Sequence, residues 1–255
     1  MHARIGFAIA LPLFAMAFAA CGAQRKGPAP ILLFTGTGTS SGDVAALETI
    51  LNANHLVYAT VSSAELNRMG GDEFTQYRLL IVPGGNFVEM GDSLNPATTA
   101  TIRNAVQRGL NYLGVCAGAF LAGSFPQRYN SLNLTSGVQF GFYDAVRRVH
   151  KTAVAIRAAD GSMLDQYWED GPQLTGWGAV VAKYPDGTPA IVQGTSGGGW
   201  IVLTGIHPEA PESWRRGLTF STPASTDHAF AATLIQAALN RTPLPQFQAA
   251  KGYLR

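Results

Sequence analysis

Two short stretches carry residue types able to do nucleophilic chemistry. Gly114-Val115-Cys116-Ala117-Gly118 sets a cysteine among small residues, after Asn111 to Val115 and ahead of the helix-compatible Ala119-Phe120-Leu121-Ala122. A strand-to-helix elbow needs such neighbours, because its nucleophile sits in a cramped backbone conformation where larger side chains clash. The helix start favours a thiolate and offers backbone N–H groups to a developing oxyanion. Thr204-Gly205-Ile206-His207-Pro208-Glu209 supplies the other half: His207 could take the Cys116 proton through one ring nitrogen while Glu209 holds the other. Taken alone, a His and Glu at a strand end are more often a solvated loop pair, and a lone Cys is most often a small buried hydrophobe.

The elements that must position these residues follow from apolar patterning. Ile31 to Phe34 is a short continuous apolar run ending in a Gly/Thr/Ser loop, as in a buried parallel strand. Asp43 precedes a helical spacing of Val44, Ala45, Ala46, Leu47, Ile50 and Leu51, which predicts a helix capped by Asp43. Leu56 to Val61 and Arg78 to Val82 read as strands, the latter stopped by Pro83-Gly84-Gly85, with a short helix at Ser63 to Met69 between them. Thr98 to Arg108 reads as a helix and Asn111 to Val115 as a fourth strand. Alternation of this kind implies a parallel sheet with right-handed crossovers, whose ligands bind beyond the carboxyl ends of the strands. After Gly123 the pattern turns to β-like runs at Val138 to Val149, Thr152 to Ala158, Ala179 to Tyr184, Ala190 to Gln193 and Trp200 to Thr204, separated by turns such as Asp160-Gly161, Asp186-Gly187 and Gly197-Gly198-Gly199. A helix from about Asp227 to Leu239 closes the pattern. The expected architecture is one α/β domain over 31–242, doubly wound with a mostly parallel sheet and an antiparallel extension, followed by a tail over 243–255.

Composition excludes several classes. The 255 residues are 47% hydrophobic and 13% charged, and Lys+Arg 18 against Asp+Glu 16 leaves a net charge of +2. Neither a basic nucleic-acid binder nor a charge-rich disordered chain has this balance. The start is distinctive: Met1-His2-Ala3-Arg4, then an apolar run from Ile5 to Ala20 broken by Gly6 and Pro12, short of the ~20 residues of a membrane span. It fits a secretory signal peptide over 1–20 with a polar linker over 21–30. Phe18-Ala19-Ala20-Cys21-Gly22 resembles a bacterial lipobox, with Phe18 where that pattern prefers Leu. Lipid attachment at Cys21 and ordinary cleavage near Ala19 or Ala23 both follow from it, and either places the chain in the periplasm or cell envelope. With Cys21 lipidated or removed, Cys116 has no disulfide partner.

Together, the Cys and His motifs resemble the class I glutamine amidotransferase-like family. Gly114 to Ala122, Tyr167-Trp168-Glu169-Asp170-Gly171-Pro172 and Leu203 to Glu209 are most similar to its biotin-protein ligase N-terminal domain-like group, over most of Ile31 to Leu239. The resemblance implies a flavodoxin-like sheet, Cys116 as nucleophile, His207 as base and Glu209 as its partner. Pro83-Gly84-Gly85 resembles the family's oxyanion loop, so the Gly84 and Gly85 N–H groups would act with that of Ala117; an ordinary Pro-Gly turn is the alternative. The segment around Tyr167 to Pro172 resembles that group's aromatic, Gly-rich loop near the site. Biotinylation is not expected, since a biotin ligase needs a separate catalytic domain with an Arg/Gly-rich adenylate loop. Glutamine-using members commonly carry Leu or Gly after the nucleophile and Gln a turn later, whereas Ala117 and then Phe120-Leu121 stand here.

Other signals are weaker. Gly194-Thr195-Ser196-Gly197-Gly198 matches Gly-x-Ser-x-Gly literally but leads into a strand rather than a helix, so a hairpin turn that could line the pocket is the better account. Gly36-Thr37-Gly38 completes no dinucleotide motif and reads as a polar loop able to bind substrate. His55, His150 and His228 lack ligand spacing, so neither a metal nor another cofactor is expected. Asp160, Asp165, Glu169 and Asp170 read as a solvated loop, and Arg147-Arg148 as a surface pair, or as an anion contact if its strand borders the site. The expected function is a thiol hydrolase or acyltransferase on a small-molecule or peptide-like amide or related carbonyl substrate, without nucleic-acid partners and touching a membrane only through its anchor. Two alternatives stand beside it: a non-catalytic ligand-binding or envelope lipoprotein, and a redox or aldehyde-handling protein that uses Cys116 without the triad.

Overall fold

The computed structural model describes residues 29–125, 127–143 and 150–248. The signal segment, Cys21, Pro126, Arg147-Arg148 and residues 249–255 lie outside the described residues. No helix among the described residues is long and apolar enough to cross a membrane.

Strands and helices alternate through the first half: β1 (Ile31–Phe34), α1 (Ser41–Ala53), β2 (Tyr58–Val61), α2 (Ser63–Leu66), β3 (Leu79–Val82), α3 (Phe87–Ser93), α4 (Pro96–Gln107), β4 (Asn111–Val115) and α5 (Ala117–Ala122). The second half is mostly strand: β5 (Gly141–Phe142), β6 (Lys151–Ala158), β7 (Met163–Glu169), β8 (Pro172–Gln173), β9 (Ala179–Lys183), β10 (Pro189–Ser196) and β11 (Gly199–Thr204), then α6 (Glu212–Arg215) and α7 (Ala224–Asn240). Nine strands form one sheet in the order β2-β1-β3-β4-β11-β10-β9-β6-β7. The first five are parallel and the remaining pairings antiparallel, so the doubly wound core and its antiparallel extension share a single sheet.

Alternate residues of the parallel strands point into two cores. Ile31, Leu33, Leu79, Ile81 and Leu113 pack with α1 and α7, whereas Leu32, Phe34, Leu80, Val82 and Tyr112 pack with α2 to α5. Burial on both faces explains why these strands are continuous apolar runs. Because β1, β3, β4 and β11 run the same way, the loops leaving their carboxyl ends meet at one edge. Ser40, Gly85, Cys116 and His207 all come from those loops.

Three expectations change. Ser40, not Asp43, caps α1: its side chain accepts the Asp43 N–H, leaving the Asp43 carboxylate free to point elsewhere. Within the expected strand Val138 to Val149 only Gly141–Phe142 is strand among the described residues, and 144–149 lie outside them. Met163–Glu169, read partly as a solvated acidic loop, is a long strand. Its pattern hid it because the buried Gln166 answers a buried Asp227 and Asp165 accepts from Ser221, so polar residues sit where apolar ones mark a strand. The start of the expected tail is also tied down: Leu244 bonds the Gln193 side chain in both directions and the Phe247 N–H donates to Val180.

Candidate functional site

Cys116 stands where β4 passes into α5, with φ 47° and ψ −102°. A non-glycine residue at positive φ is strained and persists only where its surroundings hold it. Here its N–H donates to Thr204 of β11 at 2.8 Å, and its carbonyl accepts from Ala119 and Phe120. The small neighbours are sterically required: a Cβ on Gly114 would stand 2.6 Å from the Gly118 carbonyl oxygen, and one on Gly118 would drive into the carbonyl oxygen of Val82. The thiol lies 3.5 Å from the Glu169 carbonyl oxygen, which accepts from it.

His207 follows β11 and is fixed by its N–H, which donates to Tyr167 at 2.8 Å. Its ring is flanked by Tyr167 and Trp214, with centroids at 5.8 and 5.9 Å. Nδ1 is 2.9 Å from Glu209 Oε1 and 3.1 Å from Asp43 Oδ1, and all three residues are buried. Glu209 takes the ring N–H and Asp43 stands beside the same nitrogen, while Nε2 remains for the thiol. Gly84 makes this possible, since a Cβ there would collide with Asp43 Oδ1 and come 2.7 Å from His207 Cε1.

The electrostatics follow from that crowding. Burial works against charge on His207, but the neighbouring Cys116, Glu209 and Asp43 outweigh it and raise the imidazole well above the usual histidine range. Burial raises the Glu209 carboxyl, and His207 only partly offsets this. Asp43 ends below the usual carboxylate range: burial opposes ionisation, but the His207 hydrogen bond and charge, with help from Ser40, prevail. Asp43, His207 and Glu209 also place one donor atom each within 4.8 Å of one another, a donor set that a small divalent cation accepts. A cation there would take Nδ1 from the proton that orients the ring.

A cavity of about 410 Å³ opens on these groups, lined by Cys116, Ala117, Gly85, His207 and Asp43 together with Glu169 and Asp170. The N–H groups of Gly85 and Ala117 have no partner among the described residues, and both residues face this space. Gly84 lies behind the imidazole and Glu209 beneath it, both outside the lining. Sequence reasoning missed Asp43, whose place at a helix start reads as a cap, and set Glu169 and Asp170 aside. The fold brings both beside Cys116, where Tyr167 donates to Glu169 Oε2 at 2.6 Å. The Gly194 to Gly198 segment goes elsewhere: the β10–β11 turn packs on Gln107 and Gly109 at the opposite sheet edge. Thr37 faces a separate hollow with Ser63 and Ser93, and His150 pairs with Asp170 at the surface.

Residues 29–150 match the family model described as biotin-protein ligase, N terminal. Among solved structures, a glutamine amidotransferase superposes with a TM-score of 0.56 at 17% identity, over 71% of this chain and 90% of that one. A putative GMP synthase component from Thermoplasma acidophilum superposes at 0.52 and 12% identity, over 83% and 95%. This is a class I glutamine amidotransferase-like fold. The amidotransferase-like domain is also 28% identical over 159 residues to a biotin–protein ligase of Schizosaccharomyces pombe, which covers 51% of this chain but 25% of that protein. It thus spans about a quarter of the length of that curated relative. Cys116 lies inside the matched family segment, whereas His207 and Glu209 lie beyond it.

The segment after Glu209 is held against this site by a second buried network. Trp214 packs on His207, and the neighbouring Arg215 reaches Asp227 Oδ2 at 3.5 Å, while Gln166 donates to Asp227 Oδ1 at 2.8 Å. Burial pushes the Asp227 carboxyl from 3.8 up to about 7 against the pull of Arg215, Thr222 and Gln166. Between those values the unfolded chain releases a proton that the folded chain keeps, so this contribution to stability is complete below 3.8 and is lost as pH rises to about 7. Thermal unfolding followed across that window should show a falling Tm that Asp227→Asn flattens. An equal slope in both proteins would refute it.

Proposed function

We propose that this protein is a cysteine-dependent hydrolase or acyltransferase acting on an amide or related carbonyl. The observation that carries the reading is the elbow cysteine facing one cavity with an imidazole whose Nδ1 is held by Glu209. In the proposed reaction the Cys116 thiolate attacks the carbonyl carbon, forming a C–S bond and moving an electron pair onto oxygen. The Gly85 and Ala117 N–H groups receive that oxyanion. The His207 imidazolium gives its proton to the leaving nitrogen, the C–N bond breaks and an amine departs. Water or another acceptor then loses a proton to His207 and attacks the thioester, the C–S bond breaks, and the products are an acid or a transferred acyl group with the thiolate restored.

Two features argue against glutamine as the acyl donor. Ala117 and Phe120-Leu121 depart from the glutamine-using pattern, and the lining around Cys116 carries Asp43, Glu169 and Asp170 but no Lys or Arg among the described residues to receive an α-carboxylate. The biotin ligase activity named for the fission-yeast relative is not part of the proposal. The Met1 to Ala20 segment and Cys21 support export and lipid anchorage, which membrane partitioning of wild type against Cys21→Ala would test.

Exposure to p-nitrophenyl acetate tests the reaction without the natural substrate. The expected result is a burst of p-nitrophenolate and an acetyl group on the peptide that carries Cys116. No adduct, and no release above the buffer rate, would instead favour a ligand-binding protein that keeps the fold.

A further inference from the structure

Beyond Cys116 the cavity wall changes character. Phe87 and Phe120 stack with centroids 4.4 Å apart, and Phe142 closes the group at 4.9 Å from Phe120 and 6.0 Å from Phe87. All three rings line the cavity that holds Cys116 and also an adjoining cavity of about 590 Å³, so the two share this wall. Their placement follows from the site's own elements. Phe87 begins α3 directly after Gly85-Asn86, Phe120 lies one turn into the helix that Cys116 opens, and Phe142 belongs to the short β5, whose partner β8 follows Asp170-Gly171. An apolar surface is thus built from the segments that carry the oxyanion groups and the nucleophile, with Phe142 on a strand paired to the one that follows Asp170.

Phe142 keeps 53% of its surface exposed although two aromatic rings stand beside it. An exposed ring at the mouth of a cavity gains by covering an apolar ligand, since each carbon pair removed from water adds to binding. The same cavity is also lined by Asp43, Glu169 and Asp170, which disfavour an anion next to the reacting carbonyl. We propose that Phe87, Phe120 and Phe142 are a specificity subsite for an aromatic or similarly bulky apolar acyl arm, uncharged next to the carbonyl that Cys116 attacks. This rests on the thiol–acyl reading above and names its substrate class.

The test compares p-nitrophenyl 3-phenylpropionate with p-nitrophenyl acetate. In both, the Cys116 thiolate forms a C–S bond as the C–O bond breaks and p-nitrophenolate leaves, and water then releases the carboxylic acid. Wild type should favour the phenylpropionyl ester by about tenfold or more in kcat/KM, and Phe142→Ala should reduce that ratio toward one. A wild-type ratio near one, or a ratio untouched by Phe142→Ala, overturns the subsite. Should neither ester acylate Cys116, the thiol–acyl reading fails by itself, and calorimetric binding of 3-phenylpropionamide to Cys116→Ser still judges the rings. Binding weakened about tenfold by Phe142→Ala supports the subsite, and no binding overturns it.

Discussion

His207→Ala is expected to cut the rate of Cys116 acetylation by p-nitrophenyl acetate about a thousandfold, with Cys116→Ala abolishing the adduct altogether. The size follows from what the imidazole does in this site. In the proposed reaction it gives a proton to the leaving group in the first half and takes one from water in the second. Glu209→Gln should cost less, because Asp43 stays 3.1 Å from the same nitrogen and can orient the ring in its place. Stopped-flow release of p-nitrophenolate, read beside unfolding curves for each variant, separates lost chemistry from lost structure. A His207→Ala protein that is folded and acetylated at the wild-type rate would remove the imidazole from the mechanism.

Gly118→Ala should damage the elbow itself. The added carbon would enter the space of the Val82 carbonyl oxygen, which is backbone in the central β3 and cannot swing aside like a side chain. Overpacking of this kind costs about 1–3 kcal/mol, and the relief available is to push α5 away from β3. That movement would carry Ala117 and Cys116 with it, and an ångström of misplacement at a nucleophile costs on the order of a hundredfold in rate. The expected outcome is a lowered Tm together with acetylation slowed about a hundredfold. Unchanged values for both would mean that the elbow tolerates a side chain where the geometry allows none.

Much of this arrangement is legible in the chain itself, for identifiable reasons. Strands buried on both faces advertise themselves as apolar runs, and Asn111 to Val115 has the same bounds in the sequence pattern as in the fold. The elbow is readable because its glycines and alanines are there for clearance, which leaves a local signature. Asp43 is not, since an acidic residue at the start of a helix has an ordinary explanation that satisfies local rules. Its partnership with His207 appears only when the loop after β1 meets the loops after β3 and β11. Strand β7 is obscured for a related reason, because its buried Gln166 is satisfied by Asp227, distant in sequence. The Phe87, Phe120 and Phe142 wall likewise joins positions on three separate elements, so no window of sequence displays it.

The position of β11 between β4 and β10 sets the order in which the protein can become reactive. Val115, next to Cys116, pairs with Thr204, and the segment between them holds the whole antiparallel extension. During synthesis the cysteine therefore emerges long before the histidine. It meets His207 only once a large loop has closed, a slow and entropically costly event for strands so far apart in sequence. Assembly of the sheet must therefore precede the meeting of the two side chains on which the proposed reaction depends.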